Sequence, residues 1–233
     1  MTLKEIIHES KRIVFFGGAG VSTESGIPDF RSEDGLYRQK YSVPPETILS
    51  ADYFYSHTED FYRFYRDKML CLTAKPNAAH ETLARWEQAG KLLAVVTQNI
   101  DGLHQAAGSK KVFELHGSVH RNYCMKCKKS YTAEFILKSK GVPHCTCGGM
   151  IKPDVVLYGE PLDGDTVDGA VSAIQRADTL IIAGTSLSVY PAAGFVRYFK
   201  GQHTVLINRD ATPYDEECEI VLHDKVGEVL KSL

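Results

Sequence analysis

Short apolar runs recur along the chain at 12–16, 92–96, 112–115, 179–183, 204–207 and 219–222. They are rich in β-branched residues and do not alternate with polar ones. That pattern predicts parallel strands buried on both faces. Between them lie stretches of helical periodicity at 78–89, 166–176 and 191–199, the last with Pro191 in its first turn. Thr2-Leu3-Lys4-Glu5 reads as a capping box that opens a short N-terminal helix. Strands alternating with helices predict an α/β fold built on a doubly wound, Rossmann-like parallel sheet. Two stretches break the rhythm. One is 33–76, crowded with Tyr and Phe; the other is 118–153, which holds four cysteines. Both read as insertions that build a smaller lobe. The expected division is therefore 1–32, 77–117 and 154–233 for the sheet domain, 33–76 for a helical module and 118–153 for a zinc-binding module.

At 233 residues the chain is long enough for one core plus a lobe, and 43% hydrophobic with 24% charged residues excludes extensive disorder. A formal charge of −2 provides no global field for nucleic acid or an anionic membrane. The lysines at 126, 128, 129, 138 and 140 read as a solvated face. With no apolar run of bilayer length and no secretory pattern, a cytoplasmic place is expected. In a reducing compartment paired cysteines read as metal ligands before disulfides.

Gly18-Ala19-Gly20 follows the first strand, where missing Cβ atoms let the backbone approach a pyrophosphate. The dehydrogenase fingerprint needs a further glycine where Thr23 stands, so hydride transfer is disfavoured. Downstream, Asp29, Phe30 and Arg31 set an acid, an aromatic face and a guanidinium side by side, a set suited to capping a cofactor and gripping its phosphates. Gln98, Asn99 and Asp101 stand just past the second strand, at the sheet edge where such folds bind ligands; a capped turn is the alternative reading for any one of them. His116, at the end of the next strand, has the placement of a general base, although a structural histidine is the commoner case.

Cys124-x2-Cys127 and Cys145-x-Cys147, followed by Gly148-Gly149, form a four-thiolate zinc pattern with no open coordination position, hence a structural site. His144 is an alternative ligand. Cys71 and Cys218 read as inert thiols, Trp86 as core, and Phe54, Tyr55, Phe61, Tyr62, Phe64 and Tyr65 as helix packing.

Together these motifs resemble the sirtuins, NAD-dependent protein lysine deacylases of bacterial or archaeal type. The likeness rests on Gly18-Ala19-Gly20-Val21-Ser22, Gly26-Ile27-Pro28-Asp29-Phe30-Arg31, Gln98-Asn99-Ile100-Asp101, His116-Gly117, the cysteine pairs and Gly184-Thr185-Ser186, in family order from about residue 10 to the C-terminus. The resemblance implies NAD in a cleft between the lobes, one structural zinc ion and acetyl-lysine protein substrates, with neither nucleic acid nor a membrane needed and a monomer expected. It implies that Gly18, Ala19, Gly20, Thr23, Asp29, Phe30 and Arg31 line the cofactor loop and that Gln98, Asn99, Ile100 and Asp101 meet the ribose and nicotinamide. Gly184, Thr185, Ser186, Asn208 and, by a weaker match, Lys225 would hold the adenosine half.

The chemistry implied is displacement of nicotinamide by the acyl oxygen to give an alkylimidate at the ribose C1′. His116 then acts as base on a ribose hydroxyl, Asn99 orients the ribose or water, and water completes release of lysine and O-acetyl-ADP-ribose. Val156, Leu157, Tyr158 and Gly159 resemble the segment that takes the substrate peptide as an added strand. Members that prefer acidic acyl groups carry Tyr with Arg three residues on. Here Tyr62 is followed by Tyr65 with Arg66 off register, so a deacetylase is expected first. Two other classes share these motifs: a mono-ADP-ribosyltransferase, and a zinc-bearing nucleotide-binding module without catalysis. A zinc deaminase fails for want of an open metal position.

Overall fold

The structure is a computed structural model that describes residues 1–30, 35–38 and 41–233. Arg31 lies outside the described residues. The strands are β1 (Ile13–Gly17), β2 (Leu92–Thr97), β3 (Val112–Glu114), β4 (Gly117–Cys124), β5 (Ser130–Tyr131), β6 (Ile151–Val155), β7 (Thr179–Ala183), β8 (His203–Ile207) and β9 (Ile220–Leu222). All six predicted strands join one parallel sheet in the order β3-β2-β1-β7-β8-β9. The chain winds outward from β1 in one direction and from β7 in the other. The topological switch point therefore falls between β1 and β7, where Gly17 pairs with Ala183.

Successive residues of each strand face opposite layers, which is why the apolar runs are continuous. Val14 and Phe16 pack with Val96, Ile182 and Leu206 against Ala170, Ala173 and Ile174 of the helix Gly164–Arg176. Ile13 and Phe15 pack with Val95, Ile181 and Val205 against Leu83 of the helix Ala78–Gln88 and Leu230 of the helix Val226–Lys231. Phe15 and Phe16 are fully buried, each contributing roughly 1.5–3 kcal/mol by transfer from water. The N-terminal capping box is present, and Trp86 belongs to the core. The segment after Pro191 forms a 3-10 helix, Ala192–Tyr198, where an α-helix was expected; Gly194 within it weakens α propensity.

The remaining strands form a separate antiparallel sheet, β5-β4-β6, which the sequence pattern does not predict. An irregularity between Ser118 and Asn122 breaks the pairing of β4 with β6 and disrupts any clean alternation. This sheet shares one core with the helices of 33–76: Phe54, Phe61, Tyr62 and Tyr65 pack with Val119, Ile136, Ile151 and Leu157. Tyr55, expected to pack, is exposed. Arg66 ties the two insertions together, donating through Nε to the Ile136 carbonyl at 2.9 Å and through Nη2 to Ser139 Oγ at 2.9 Å. The lysines at 126, 128, 129, 138 and 140 are exposed, as expected of a solvated face.

Candidate active site and metal centre

A cavity of about 680 Å³ opens at the carboxyl ends of the large sheet's strands. Its walls include every candidate cofactor and substrate residue within the described part of the chain: Gly18, Ala19, Gly20, Thr23, Asp29, Phe30, Gln98 to Asp101, His116, Val156 to Gly159, Gly184 to Ser186, Asn208 and Lys225. Most follow directly on a strand end, so the parallel sheet itself gathers them.

The floor is made by two loops in close contact. A Cβ on Gly18 would lie 2.8 Å from the Gly184 carbonyl oxygen, and one on Gly20 would lie 2.8 Å from the Gly184 Cα. Gly184 has φ of +58° and its own Cβ would overlap the Val21 amide. The Gly18 and Gly20 amides donate to the carbonyls of Ala183 and Gly184 at 3.1 and 2.8 Å. These glycines are thus needed first for loop-on-loop packing at the switch point, and their amides serve that packing. The loop from Gln98 is tied to the same floor, since Gln98 Nε2 donates to Thr185 Oγ1 at 3.0 Å.

Ser22 is the centre of a buried polar knot. Its hydroxyl donates to Asp101 Oδ2 at 2.6 Å and accepts from Asn99 Nδ2 at 3.1 Å. Asp101 Oδ1 accepts the Leu103 amide at 2.9 Å, and the Asn99 amide donates to Thr97 Oγ1 at 3.0 Å. Asp101 therefore caps a local turn and also lines the cavity, so for it the two readings describe one arrangement; Asn99, whose own amide is capped by Thr97, lines the cavity as well. Gly102, at φ of +73°, lets the loop lie on the His120 ring.

His116 sits where the chain leaves the parallel sheet for the small one. Its Nδ1 lies 3.0 Å from the Gln98 carbonyl oxygen. A carbonyl only accepts, so Nδ1 carries the proton and Nε2 keeps its lone pair. Burial lowers the imidazole pKa against the opposing effect of the Gln98 bond, which keeps the ring neutral at physiological pH. Gly117 follows at φ of +75°, and a Cβ there would overlap the Asp154 carbonyl. The His116 carbonyl accepts the Val156 amide at 3.0 Å, so the base and the segment 156–159 are joined through the backbone.

In that segment Tyr158 forms a parallel bridge with Ser50: its amide donates to the Leu49 carbonyl and its carbonyl accepts from Ala51. Its hydroxyl lies 2.9 Å from that of Tyr37, whose ring packs on Phe30 at 5.3 Å. At the opposite end, the Asn208 amide donates to the Leu222 carbonyl, and Glu24 Oε2 accepts the Gly227 amide at 2.7 Å.

The four paired cysteines converge, with all sulfurs within 4.8 Å of one another. Cys124 Sγ and Cys147 Sγ are 3.5 Å apart, and Cys127 Sγ and Cys145 Sγ 3.6 Å. A tetrahedral zinc with Zn–S bonds near 2.3 Å needs sulfurs about 3.8 Å apart, so the cluster fits. Amide donors favour two of the four thiolates, while at Cys147, against the Gly149 amide, the neighbouring sulfurs raise the thiol. The Cys147 amide lowers the Cys145 thiol to about 5, and the Cys127 amide lowers that of Cys124. His144 is turned to the Val142 carbonyl and stands outside the cluster. Gly149 is required beside the sulfurs, where a Cβ would lie 2.7 Å from Cys124 Sγ.

A family model described as the Sir2 family matches residues 18–191. The chain belongs to the Sir2 family. It is 61% identical over 235 residues to a Clostridium acetobutylicum protein named NAD-dependent protein deacetylase, covering 99% of this chain and 96% of that one. A Cutibacterium acnes protein of the same name is 50% identical, with 100% and 98% covered. Among solved structures, a Sir2 with deacetylated p53 peptide and 3′-O-acetyl ADP ribose is similar at a TM-score of 0.90 and 44% identity, covering 99% of this chain and 96% of that one. A Sir2 with p53 peptide and NAD+ matches at 0.87 and 43%, covering 100% and 97%.

Within this Sir2-family cleft, sequence reasoning missed Ser22 as a site residue although it lies inside the glycine motif. It also missed Glu24, Tyr37, Met69 and the run Arg209-Asp210-Ala211, all of which line the cavity. A lone serine in that motif carries no sequence signal for a partner 79 positions away. Tyr62, Tyr65 and Arg66 do not line the cavity; the Tyr62 hydroxyl donates to the Ile151 carbonyl and Arg66 is committed to the zinc-bearing insertion. Among the described residues no helix is long and apolar enough to cross a membrane.

Proposed function

We propose that this Sir2-family chain removes acetyl groups from protein lysine side chains with consumption of NAD, releasing nicotinamide and O-acetyl-ADP-ribose. The observation that carries the reading is His116: neutral, tautomer fixed by the Gln98 carbonyl, and lining the same cavity as the glycine loops and the Gln98 to Asp101 run. Full-length relatives named NAD-dependent protein deacetylase, and Sir2 structures with NAD+ and with acetylated peptide, support it.

NAD, when bound, supplies an electrophilic ribose carbon from which nicotinamide leaves. The chain's part is to bind, orient and move one proton. The loops 18–30 and 184–186 hold the dinucleotide, with Asn208 and Lys225 toward adenosine. Asn99 and Asp101, fixed by Ser22, orient the nicotinamide ribose. His116 Nε2 takes a proton from a ribose hydroxyl. The segment Val156 to Gly159 receives the substrate backbone, with the residues 33–76 and 118–153 as the small lobe and 1–32, 77–117 and 154–233 as the NAD-binding domain. Cys124, Cys127, Cys145 and Cys147 would hold one zinc ion that braces the lobe, and four thiolate ligands would leave it no catalytic position. The cytoplasm is the proposed place of action, since four cysteines kept as free thiols for a metal need a reducing compartment.

The test is mass spectrometry of an acetyl-lysine peptide with and without NAD. Loss of the acetyl group only with NAD, abolished in His116→Ala, is the expected result. NAD consumption without deacetylation would redirect the reading to ADP-ribosyl transfer. Because Tyr62, Tyr65 and Arg66 stand off the cavity, acetyl-lysine is expected to turn over faster than succinyl-lysine; the reverse order would overturn the acyl preference.

A further inference from the structure

One buried charge has no part in the reaction just described. Lys152, on β6, is 4% exposed, and its ammonium lies over the Phe54 ring at 5.7 Å. It donates to the carbonyls of Val155 at 3.2 Å and Pro153 at 3.4 Å and pairs with Glu160 Oε2 at 3.1 Å. Glu160 is the acid within salt-bridge distance of it, and Glu160 lines the cavity. The same carboxylate oxygen accepts the Leu157 amide at 2.9 Å, while the Glu160 amide donates back to the Leu157 carbonyl at 2.9 Å.

An ion pair with one deeply buried partner contributes little net stability, because desolvation of the Lys152 ammonium offsets the attraction to Glu160. Its cost is better explained by what it holds. Over the extended residues 156–158, alternate residues turn their backbone groups to opposite sides. Val156 and Tyr158 use theirs on His116 and on Leu49 and Ala51. Leu157, facing the other way, gives its amide to the Glu160 carboxylate, while its carbonyl accepts the Glu160 backbone amide across a turn in which Gly159 has φ of +92°. The carboxylate, anchored by Lys152, thus holds the Leu157 amide that strand pairing leaves unheld, beside a backbone turn that closes without the charge.

We propose that Glu160, anchored by Lys152, is a positioning residue that pre-sets the segment 156–159 for the acyl-lysine peptide. This inference rests on the deacetylase reading and on that segment as the peptide's docking strand. A segment held in its binding conformation spares the peptide the ordering cost, so the pair acts on peptide affinity and not on the NAD half or the proton transfer.

The experiment uses the full chain and compares wild type, Glu160→Gln, Lys152→Met and the double variant Glu160→Gln with Lys152→Met. Steady-state kinetics on an acetyl-lysine peptide and NAD are combined with thermal melting and amide exchange at Leu157. Glu160→Gln is expected to raise the peptide KM about tenfold, with the NAD KM within about twofold and kcat nearly unchanged. Either single variant also lowers the melting temperature, by stranding one buried charge or its partner. The double variant removes both charges and recovers the melting temperature, yet keeps the raised peptide KM and fast Leu157 exchange. Recovery of the peptide KM along with stability would reduce the pair to a structural role and overturn the proposal, as would equal rises in both KM values. A wild-type protein without deacetylase activity would defeat the functional reading instead. In that case unchanged Leu157 exchange in Glu160→Gln would separately defeat the positioning role.

Discussion

The two sheets reach order by different means. In the large sheet, β1, β7 and the inner end of β8 are apolar and covered on both faces, and the core closes without any metal. In the small sheet, β5 is two residues long, β4 is irregular, and the strands are held by an aromatic core and by four sulfurs at one end. One sheet is specified by its own hydrophobic pattern; the other is specified by contacts between distant segments. The cavity between them therefore has a floor held by its own apolar core and a wall braced at one end by the four-cysteine cluster.

Removing the metal should separate the two sheets most sharply. Chelation is expected to abolish activity and strip amide protection from 118–157 while β1, β7 and β8 stay protected, since structural zinc supplies about 10–16 kcal/mol in small zinc domains. Uniform loss of protection across both sheets, read by hydrogen exchange, would show that the large sheet leans on the small one. His116→Ala tests the opposite case, a large functional loss without loss of fold. Activity should fall by about 10²–10⁴-fold with an unchanged melting temperature. A drop in melting temperature of comparable weight would make His116 a structural residue.

Ser22→Ala should fall between these extremes. It leaves Asn99 Nδ2 and Asp101 Oδ2 without their partner, costing about 1–3 kcal/mol and raising the NAD KM more than the peptide KM. Equal effects on both substrates would place the knot outside the ribose site. A further effect is in pH. Burial lowers the folded-state pKa of His116, of His104 and of His80, the last to about 4. The unfolded chain binds these protons more readily. Stability is therefore fully present above the ordinary histidine value near 6.5 and declines as pH falls toward about 4. Activity should fall on the same acidic side as His116 gains a proton, with its midpoint below the ordinary histidine value. A melting temperature flat across that range would contradict the buried-neutral assignment.

This contrast also explains what the sequence made legible. The six parallel strands could be read because burial on both faces leaves a continuous apolar signature in each one; of the candidate site residues, Gln98, Asn99, Asp101 and His116 were placed by the carboxyl-edge rule, whereas 156–159, 184–186, Asn208 and Lys225 came only from the family resemblance. The four cysteines were legible by spacing alone. The β4–β6 sheet was not, since Ser118, His120 and Asn122 interrupt its pattern and its partners come from 33–76. Ser22 and the Lys152–Glu160 pair were hidden for a related reason. Their meaning lies in which atoms meet after folding, and a serine or a lysine in sequence carries no mark of its partner.

The place of His116 has a mechanical consequence. β3 ends at Glu114 and β4 begins at Gly117, so the base sits in the two-residue passage between the sheets. Leu115 is fastened to Thr97 of the large sheet, and the His116 carbonyl to Val156 beside the small one. The imidazole is thus mounted on the hinge pin of the cleft. Any tilt of one lobe against the other re-aims Nε2, and a molecule that merely wedges the lobes apart can silence the base without touching it.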